Sequence, residues 1–259
     1  FGCGPKVSNE TSTTGSLMIG GPSGSELAQE QVFRKNNGSD PGALDPHRAE
    51  GVPASNVLRD LYEGLVSEAA NGDYIPGVAE SWSISEDGKT YRFKIREEAV
   101  WSNGDRVVAE DFVFSLRRSV DPKTLSNYSS MLYPIKNARD VVLGKLPTDK
   151  LSVSAENEKT LVIELEEPTP YFISLLTHST TYPVHPPSVR EYGTSFTRPE
   201  NMISNGAFTL KDWRIQDYIL LERNEKYWDN LSTTLSQVYY YPLDNPDASL
   251  RRYRANELD

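Results

Sequence analysis

The sequence predicts a mixed α/β fold, because strand and helix patterns are interspersed along the chain without a strict strand–helix–strand repeat. Apolar and polar residues alternate with period two in Trp82–Ser85 and again in Thr90–Ile95, which is typical of half-buried strands. Apolar residues recur at helical spacing from Ala109 to Val120, which is typical of an amphipathic helix. These observations disfavour an all-α or an all-β domain.

The first predicted elements lie before residue 65. Gln31–Lys35 is a predicted short strand that stops at an Asn-Asn-Gly turn. Two Asp-Pro turns follow, since each proline fixes its own φ and biases the preceding residue away from helix. Ser55 is the predicted N-cap of a helix that ends at Gly64.

Three hairpins are predicted in the rest of the chain. Their paired segments are Trp82–Ser85 with Thr90–Ile95, Leu151–Ser154 with Thr160–Leu165, and Ala207–Trp213 with Tyr218–Glu222. The first hairpin turns at Asp87-Gly88, a strong turn signal. The helix that begins at Ala109 stops at Asp121-Pro122. Gln237–Tyr241 is the last predicted strand, and a helical run begins at Asp247.

Five prolines in the segment from 168 to 187 predict its local structure. Pro168-Thr169-Pro170 opens a short predicted helix. Pro183, Pro186 and Pro187 predict a chain crossing that has no helix or strand of its own. This crossing is the predicted internal boundary, so the middle of the chain is predicted to be an inserted domain.

The composition excludes several classes of function. The 259 residues carry 27 basic and 37 acidic side chains, a net charge of −10, so we expect no nucleic-acid partner. No run of about 18 apolar residues exists to span a membrane. The single cysteine excludes an internal disulfide. His47, His178 and His185 lack ligand-like spacing, so we expect no metal and no other cofactor.

Residues 1–30 are predicted to be a flexible tether, because this stretch is polar and rich in serine, threonine and glycine. Cys3, preceded by glycine, resembles the lipid-modified cysteine at the end of a bacterial lipoprotein signal. We therefore expect a lipidated Cys3 and attachment to a membrane surface, with an incidental thiol as the alternative. Because Asp259 directly follows a helical run, we also expect this chain to be part of a larger protein.

A series of short motifs extends from Phe33 to Asp259. They are Arg34–Ser39, Leu44–His47, Glu50–Asn56, Arg59–Leu65, Pro76–Trp82, Trp101–Asp105, Ala109–Val113, Pro170–Phe172, Asn205–Phe208, Leu221–Asn224 and Tyr227–Asp229. The residues of these motifs and their order along the chain resemble those of the substrate-binding proteins of bacterial peptide ABC transporters, in particular the oligopeptide-binding branch. Any one of these motifs is weak evidence, whereas the whole series in order is strong evidence.

The resemblance implies a fold and a domain organisation. The implied fold is a periplasmic-binding-protein-like type II lobe with an inserted smaller α+β domain, in a chain from which the second lobe is absent. Residues 31–62 and 187–259 then form the main lobe, and residues 63–186 form the inserted domain. The boundary at the proline cluster agrees with this division.

The resemblance also implies a function. It predicts a monomeric, non-enzymatic, extracytoplasmic solute-binding protein that captures oligopeptides and delivers them to an ABC transporter permease. The implied location is the periplasm or the cell surface. With one lobe absent, we expect the chain alone to bind peptides weakly or not at all.

The expected peptide-contacting residues come from the same resemblance. Glu50, Gly51 and Val52 match a segment that is extended in similar proteins and pairs its backbone with the bound peptide. Gly51 allows the two backbones to approach closely. Tyr128 is expected to flank the peptide and offer its hydroxyl to it, with packing in the core of the inserted domain as the alternative.

Rival functions rest on weaker observations. Trp82 and Trp101 suggest a surface on which sugars stack, although their positions at a strand start and a tight turn favour core packing. Asp45, His47 and a nearby serine have the composition of a hydrolase triad but lack the nucleophile-elbow motif. A ligand-sensing domain of a regulator, which shares the implied fold, is a third alternative.

Overall fold

The computed structural model describes residues 27–259. The predicted lipidation site, Cys3, and most of the predicted tether 1–30 lie outside the described residues. Residues 27–31 contain no helix or strand. Residues 32–259 form one compact unit, which contains every element of the fold described in this chain.

Strands and helices are interspersed along residues 32–259, as the two periodicities predict. The strands are β1 (Val32–Asn36), β2 (Val66–Glu68), β3 (Tyr74–Pro76), β4 (Ala79–Ile84), β5 (Thr90–Ile95), β6 (Val153–Asn157), β7 (Thr160–Glu164), β8 (Phe208–Arg214), β9 (Tyr218–Arg223) and β10 (Gln237–Tyr241). The α-helices are α1 (Gly51–Leu61), α2 (Ala109–Val120), α3 (Ala138–Val142), α4 (Phe172–Leu175), α5 (Pro186–Tyr192) and α6 (Pro246–Arg254). The three predicted hairpins, the helix from Ala109 to Val120 and the last predicted strand are confirmed.

The first sheet has the strand order β1-β10-β9-β8. Strand β1 runs parallel to β10, with Val32 opposite Gln237 and Asn36 opposite Tyr241. The other two pairs are antiparallel. A parallel pair cannot be joined by a tight turn, so the long chain between β1 and β10 leaves this sheet, builds a second one and returns.

The second sheet, in the order β4-β5-β7-β6, is antiparallel throughout. On β5 the side chains of Tyr91, Phe93 and Ile95 are buried and the residues between them are exposed, as the period-two pattern predicts. Helix α2 packs across β6 and β7 and buries Phe112 and Leu116. Strands β2 and β3 form a separate antiparallel pair.

Helix α1 begins earlier than the sequence predicts. Ser55 lies inside the helix, and Glu50 occupies the N-cap position with an extended backbone (φ −132°, ψ 149°). Pro53 is compatible with this start because its missing N–H falls in the first turn, where helix N–H groups have no intrahelical acceptor. The helix ends at Leu61, before the predicted stop at Gly64. The prediction of Ser55 as the N-cap is therefore wrong.

The proline cluster also differs from its prediction. Pro186 and Pro187 are the first two residues of α5 rather than part of a crossing without structure. Proline suits the first helical positions, since its φ is already helical and the N–H it lacks is not needed there. The Nδ1 atom of His185 accepts a hydrogen bond from the Ser188 N–H at 3.3 Å and caps the helix.

The chain passes close to the end of α1 at Gly206. The Gly206 N–H donates to the Leu61 carbonyl at 2.9 Å. Beside it, the Asn205 side chain donates to the Glu63 carbonyl at 2.9 Å and accepts from the Glu63 N–H at 3.2 Å. A Cβ atom on residue 206 would lie 2.6 Å from the carbonyl carbon of Leu61 and 2.7 Å from the Asp60 oxygen. Glycine is therefore required at this position.

Replacing Gly206 with alanine is expected to destabilise the fold, because the added Cβ meets backbone atoms that cannot rotate away. Overpacking of this kind costs about 1–3 kcal/mol, and more against rigid backbone. Urea unfolding of Gly206→Ala and the wild type measures the change in the free energy of unfolding. Gly42→Ala is the matched control, since Gly42 is exposed and a Cβ there meets no atom within 4 Å. Equal stabilities of the two variants would contradict the expectation.

Candidate functional site

Gly51 and Val52 line one recess of about 240 Å³ together with Tyr128, which lies far from them in the sequence. Helix α1 supplies the first two residues, and the loop between α2 and α3 supplies Tyr128. The remaining residues of the recess are Ala49, Ser55, His178 and Ser179. The structure therefore brings three of the four predicted peptide-contacting residues together.

The backbone at the start of α1 is open for hydrogen bonding. The first N–H groups of an α-helix have no intrahelical acceptor, and the Glu50 side chain does not cap them. Val52 is 70% exposed, and Gly51 adopts a φ of +78° that glycine tolerates at little cost. The helix dipole adds a partial positive charge at this end. This wall of the recess therefore offers N–H donors to a carbonyl or carboxylate oxygen.

Glu50 is placed differently from its two neighbours. It borders a separate recess of about 430 Å³, whose other residues are Gly42, Ala43, Asp45, Arg48, Thr194 and Thr197. Gly51 and Val52 belong to the first turn of α1, so the predicted extended segment ends at Glu50 and is wrong beyond it. The physical reason is that α1 buries an apolar face through Ala54 and Leu58, which places its start ahead of Pro53.

Tyr128 packs against a residue that was not among the predicted ones. Its ring centroid lies 4.9 Å from that of His178, at an interplanar angle of 59°. Tyr128 is half-buried and lies outside the hydrophobic core cluster, which disfavours the alternative of core packing. Its hydroxyl has no hydrogen-bond partner among residues 27–259. No local sequence pattern relates residue 178 to residue 128, so sequence periodicity could not have found this pair.

A larger cleft of about 600 Å³ adjoins the recess, and Glu63 lies on its wall. The two spaces share Ser55, His178 and Ser179. The Glu63 carboxylate accepts hydrogen bonds from the Tyr227 hydroxyl at 2.6 Å and from the Trp228 indole N–H at 2.7 Å. Burial raises the pKa of Glu63 above its usual value, and the two hydrogen bonds offset part of that rise. The motif at Tyr227–Asp229 thus holds the Glu63 carboxylate in place. The sequence of the motif alone did not indicate this role.

Asp45 and His47 belong to a buried structural network. Arg118 donates to both carboxylate oxygens of Asp45, at 2.9 and 2.6 Å, and its Nη1 lies 2.7 Å from Nδ1 of His47. The Nε2 atom of His47 lies 3.0 Å from the Tyr182 carbonyl oxygen, so Nε2 carries the proton. Among the described residues no serine hydroxyl bonds to His47, so the arrangement does not form a hydrolase triad.

The remaining rival sites are explained by packing. Trp101 is 1% exposed and donates its indole N–H to Asp111 at 3.0 Å, which confirms core packing. Trp82 is partly buried and packs against the core beside Phe93.

Residues 27–259 contain no group of three or more His, Cys, Asp or Glu side chains placed to bind a metal ion. In the same part of the chain, no helix combines the length and apolar character needed to cross a membrane.

The fold is a lobe in which a second sheet is inserted into the chain of the first. The family model for bacterial extracellular solute-binding proteins, family 5, middle region, matches residues 73–259. The chain belongs to this family, and the resemblance drawn from the sequence motifs is confirmed.

Particular relatives are similar over most of the chain. It is 45% identical over 240 residues to the periplasmic oligopeptide-binding protein OppA of Escherichia coli K12. It is 42% identical over 240 residues to the probable deoxycholate-binding periplasmic protein YgiS of the same organism. The crystal structure of Haemophilus influenzae OppA in complex with RPPGFSPFR matches with a TM-score of 0.88 at 41% identity. The predicted type II periplasmic-binding-protein fold is confirmed.

The chain spans less than half the length of these relatives. The alignment covers 92% of this chain and 44% of Escherichia coli OppA, and 92% and 45% for YgiS. The structural match covers 90% of this chain and 46% of Haemophilus influenzae OppA. Each of these relatives is named as a binding protein or solved with a peptide, and the named ligands include both peptides and a bile acid.

The His47 ring is expected to stay neutral at pH values where an exposed histidine is already charged, because burial and the Arg118 charge lower its pKa from 6.5 to about 4. Between these two pH values the unfolded chain binds a proton that the folded chain does not. The stability that the neutral ring contributes is therefore complete above pH 6.5 and is lost as the pH falls toward 4. Spectra of ¹⁵N-histidine-labelled protein measure both the titration and the tautomer. A charged His47 ring at neutral pH, or a ring protonated on Nδ1 alone, would contradict this.

Proposed function

We propose that this chain forms one lobe of an extracytoplasmic solute-binding protein that captures oligopeptides and delivers them to an ABC transporter permease. Its family and its similarity to two OppA proteins support the proposal. The observation that carries it is the single recess lined by Gly51, Val52 and Tyr128. The protein acts by binding and release, as a monomer, without a catalytic step or a cofactor.

The recess recognises groups that every peptide contains. The open N–H groups of Gly51 and Val52 pair with backbone carbonyl oxygens of the ligand, so recognition does not depend on the ligand's side chains. The Tyr128 ring covers one side of the bound chain, and its hydroxyl adds a hydrogen bond. In the whole protein a second lobe completes the site, and a ligand that touches both lobes favours the closed state.

We also propose that the main lobe comprises residues 31–62 and 187–259 and that residues 63–186 form the inserted domain. The positions of the strands in the sequence support this division. All four strands of the first sheet lie within residues 31–62 and 187–259, and strands β2 to β7 lie within residues 63–186. One hydrophobic cluster extends through both parts, so the inserted domain packs against the main lobe. Lipidation of Cys3, with anchoring to a membrane facing the periplasm or cell surface, stays a prediction.

Replacing Val52 with proline is expected to lower the affinity for trialanine about tenfold, because the substitution removes one backbone donor. Proline is tolerated in the first turn of a helix, and the Val52 side chain is 70% exposed, so the fold is retained. Val52→Ala is the control, since it keeps the N–H while it truncates the exposed side chain. Chemical-shift titration of ¹⁵N-labelled protein with millimolar trialanine measures the affinities, and thermal unfolding confirms that both variants fold.

Two results would contradict the proposal. Equal affinities of Val52→Pro and Val52→Ala for trialanine would show that the backbone donor is not used. Deoxycholate is the comparison ligand, because a relative of similar identity is named for it. If deoxycholate shifts the amide signals of Gly51 and Val52 and trialanine leaves them unmoved, a peptide is not the ligand of this recess.

The chain by itself is expected to bind tri- to pentapeptides more weakly than micromolar. The reason is that it covers 44% of the length of Escherichia coli OppA and supplies only one wall of the proposed site. Isothermal titration calorimetry with a mixture of such peptides measures this. Micromolar binding by the 259-residue chain would show that this lobe is sufficient, contrary to the expectation.

A further inference from the structure

His178 stands where the recess and the larger cleft meet, because it lines both spaces. It is half-buried, and its ring is held on one side by the Tyr128 ring at 4.9 Å. Its backbone carbonyl accepts hydrogen bonds from the Thr181 N–H at 3.0 Å and from the Thr181 hydroxyl at 2.8 Å. The residue is therefore fixed in position at the junction of the two spaces.

The hydrogen bonds of His178 determine which ring nitrogen carries the proton. The Thr180 N–H donates to Nδ1 at 3.1 Å, so Nδ1 is an acceptor and cannot hold a proton in that bond. Burial lowers the pKa of His178, which favours the neutral ring. A neutral ring with an accepting Nδ1 carries its proton on Nε2. His178 thus presents a single, fixed N–H donor.

This donor has no acceptor within the described chain. The Nε2 atom forms no hydrogen bond with any of residues 27–259, and it is not enclosed in the protein interior. The neighbouring Tyr128 hydroxyl is unpaired in the same way. Gly51 and Val52, at the start of α1 where the N–H groups are open, line the same recess. The recess is consequently rich in donors, which suits a ligand that supplies several carbonyl oxygens, as an extended peptide does.

We propose that His178 is a ligand-contacting residue that donates its Nε2–H to a backbone carbonyl oxygen of the peptide lying against Gly51 and Val52. This inference rests on the proposed function and adds to it a residue that positions the bound chain at the entrance to the larger cleft. The contact involves no proton transfer, since the proton stays on Nε2 while the carbonyl oxygen accepts the bond.

Two substitutions separate ligand contact from a structural role. His178→Asn keeps an acceptor for the Thr180 N–H, because asparagine is a favoured capping residue, but removes the Nε2 donor. His178→Gln loses the capping geometry but can place an amide N–H near the original Nε2. Ligand contact predicts that Asn weakens trialanine binding roughly three- to tenfold, as expected for one neutral hydrogen bond, while Gln binds more nearly like the wild type. A purely structural role predicts the reverse order.

The wild-type protein provides a readout that needs no variant. In ¹⁵N-histidine-labelled protein, millimolar trialanine is expected to shift the Nε2 signal of His178 and to slow exchange of its proton with water. The buried His185, whose Nε2 lies 3.0 Å from Asp105, is the internal control and is expected to stay unmoved.

The outcomes distinguish this inference from the proposed function. If the amide signals of Gly51 and Val52 respond to trialanine while Nε2 of His178 does not, the inference is wrong and the proposed function stands. Wild-type affinity in His178→Asn would also overturn the inference alone. If the recess signals respond to deoxycholate but not to trialanine, the proposed function fails and the inference fails with it.

Discussion

The close passage of Gly206 along the end of α1 is the constraint on which the site depends. The Gly206 N–H bonds to the Leu61 carbonyl at 2.9 Å, and the adjacent Asn205 side chain holds both backbone polar groups of Glu63. These contacts fix the C-terminal end of α1. Because an α-helix is a rigid rod of hydrogen-bonded turns, they also fix its first turn, where Gly51 presents its open N–H group.

Buried polar contacts then place the second wall of the recess against the first. His47 lies in the loop that leads into α1, and its Nε2–H donates to the Tyr182 carbonyl at 3.0 Å. Tyr182 follows the turn that holds His178, so this bond ties the two loops together. Burial and the Arg118 charge lower the pKa of His47 and keep its ring neutral, and Arg118 also pairs with Asp45 in the same interior. Buried polar groups require such pairing, since an unpaired one in an apolar surrounding costs several kcal/mol, on the order of 2–7.

Local patterns predicted most of the regular structure, and the errors share one cause. Strand β5 and helix α2 were predictable because their buried faces repeat every two residues or every helical turn. The start of α1 and the whole of α5 were not, because Pro53 and Pro186 lie in the first turns of these helices, and a proline there has the same local sequence signal as one that ends a helix. Proline is excluded from the interior of a helix but not from its first turn. Whether a proline begins a helix or ends one depends on how far the buried apolar face of the helix extends, and tertiary packing determines that extent.

By itself the sequence determined the class of fold, the family and the segments that contain Gly51, Val52 and Tyr128, because periodicity and ordered motifs are written along the chain. It did not determine that these residues share a recess, that Glu50 borders a different one, or that His178 joins them. Only the tertiary structure decided this. Periodicity records which face of an element is buried, whereas the partner across a recess depends on how the two sheets and α1 pack together.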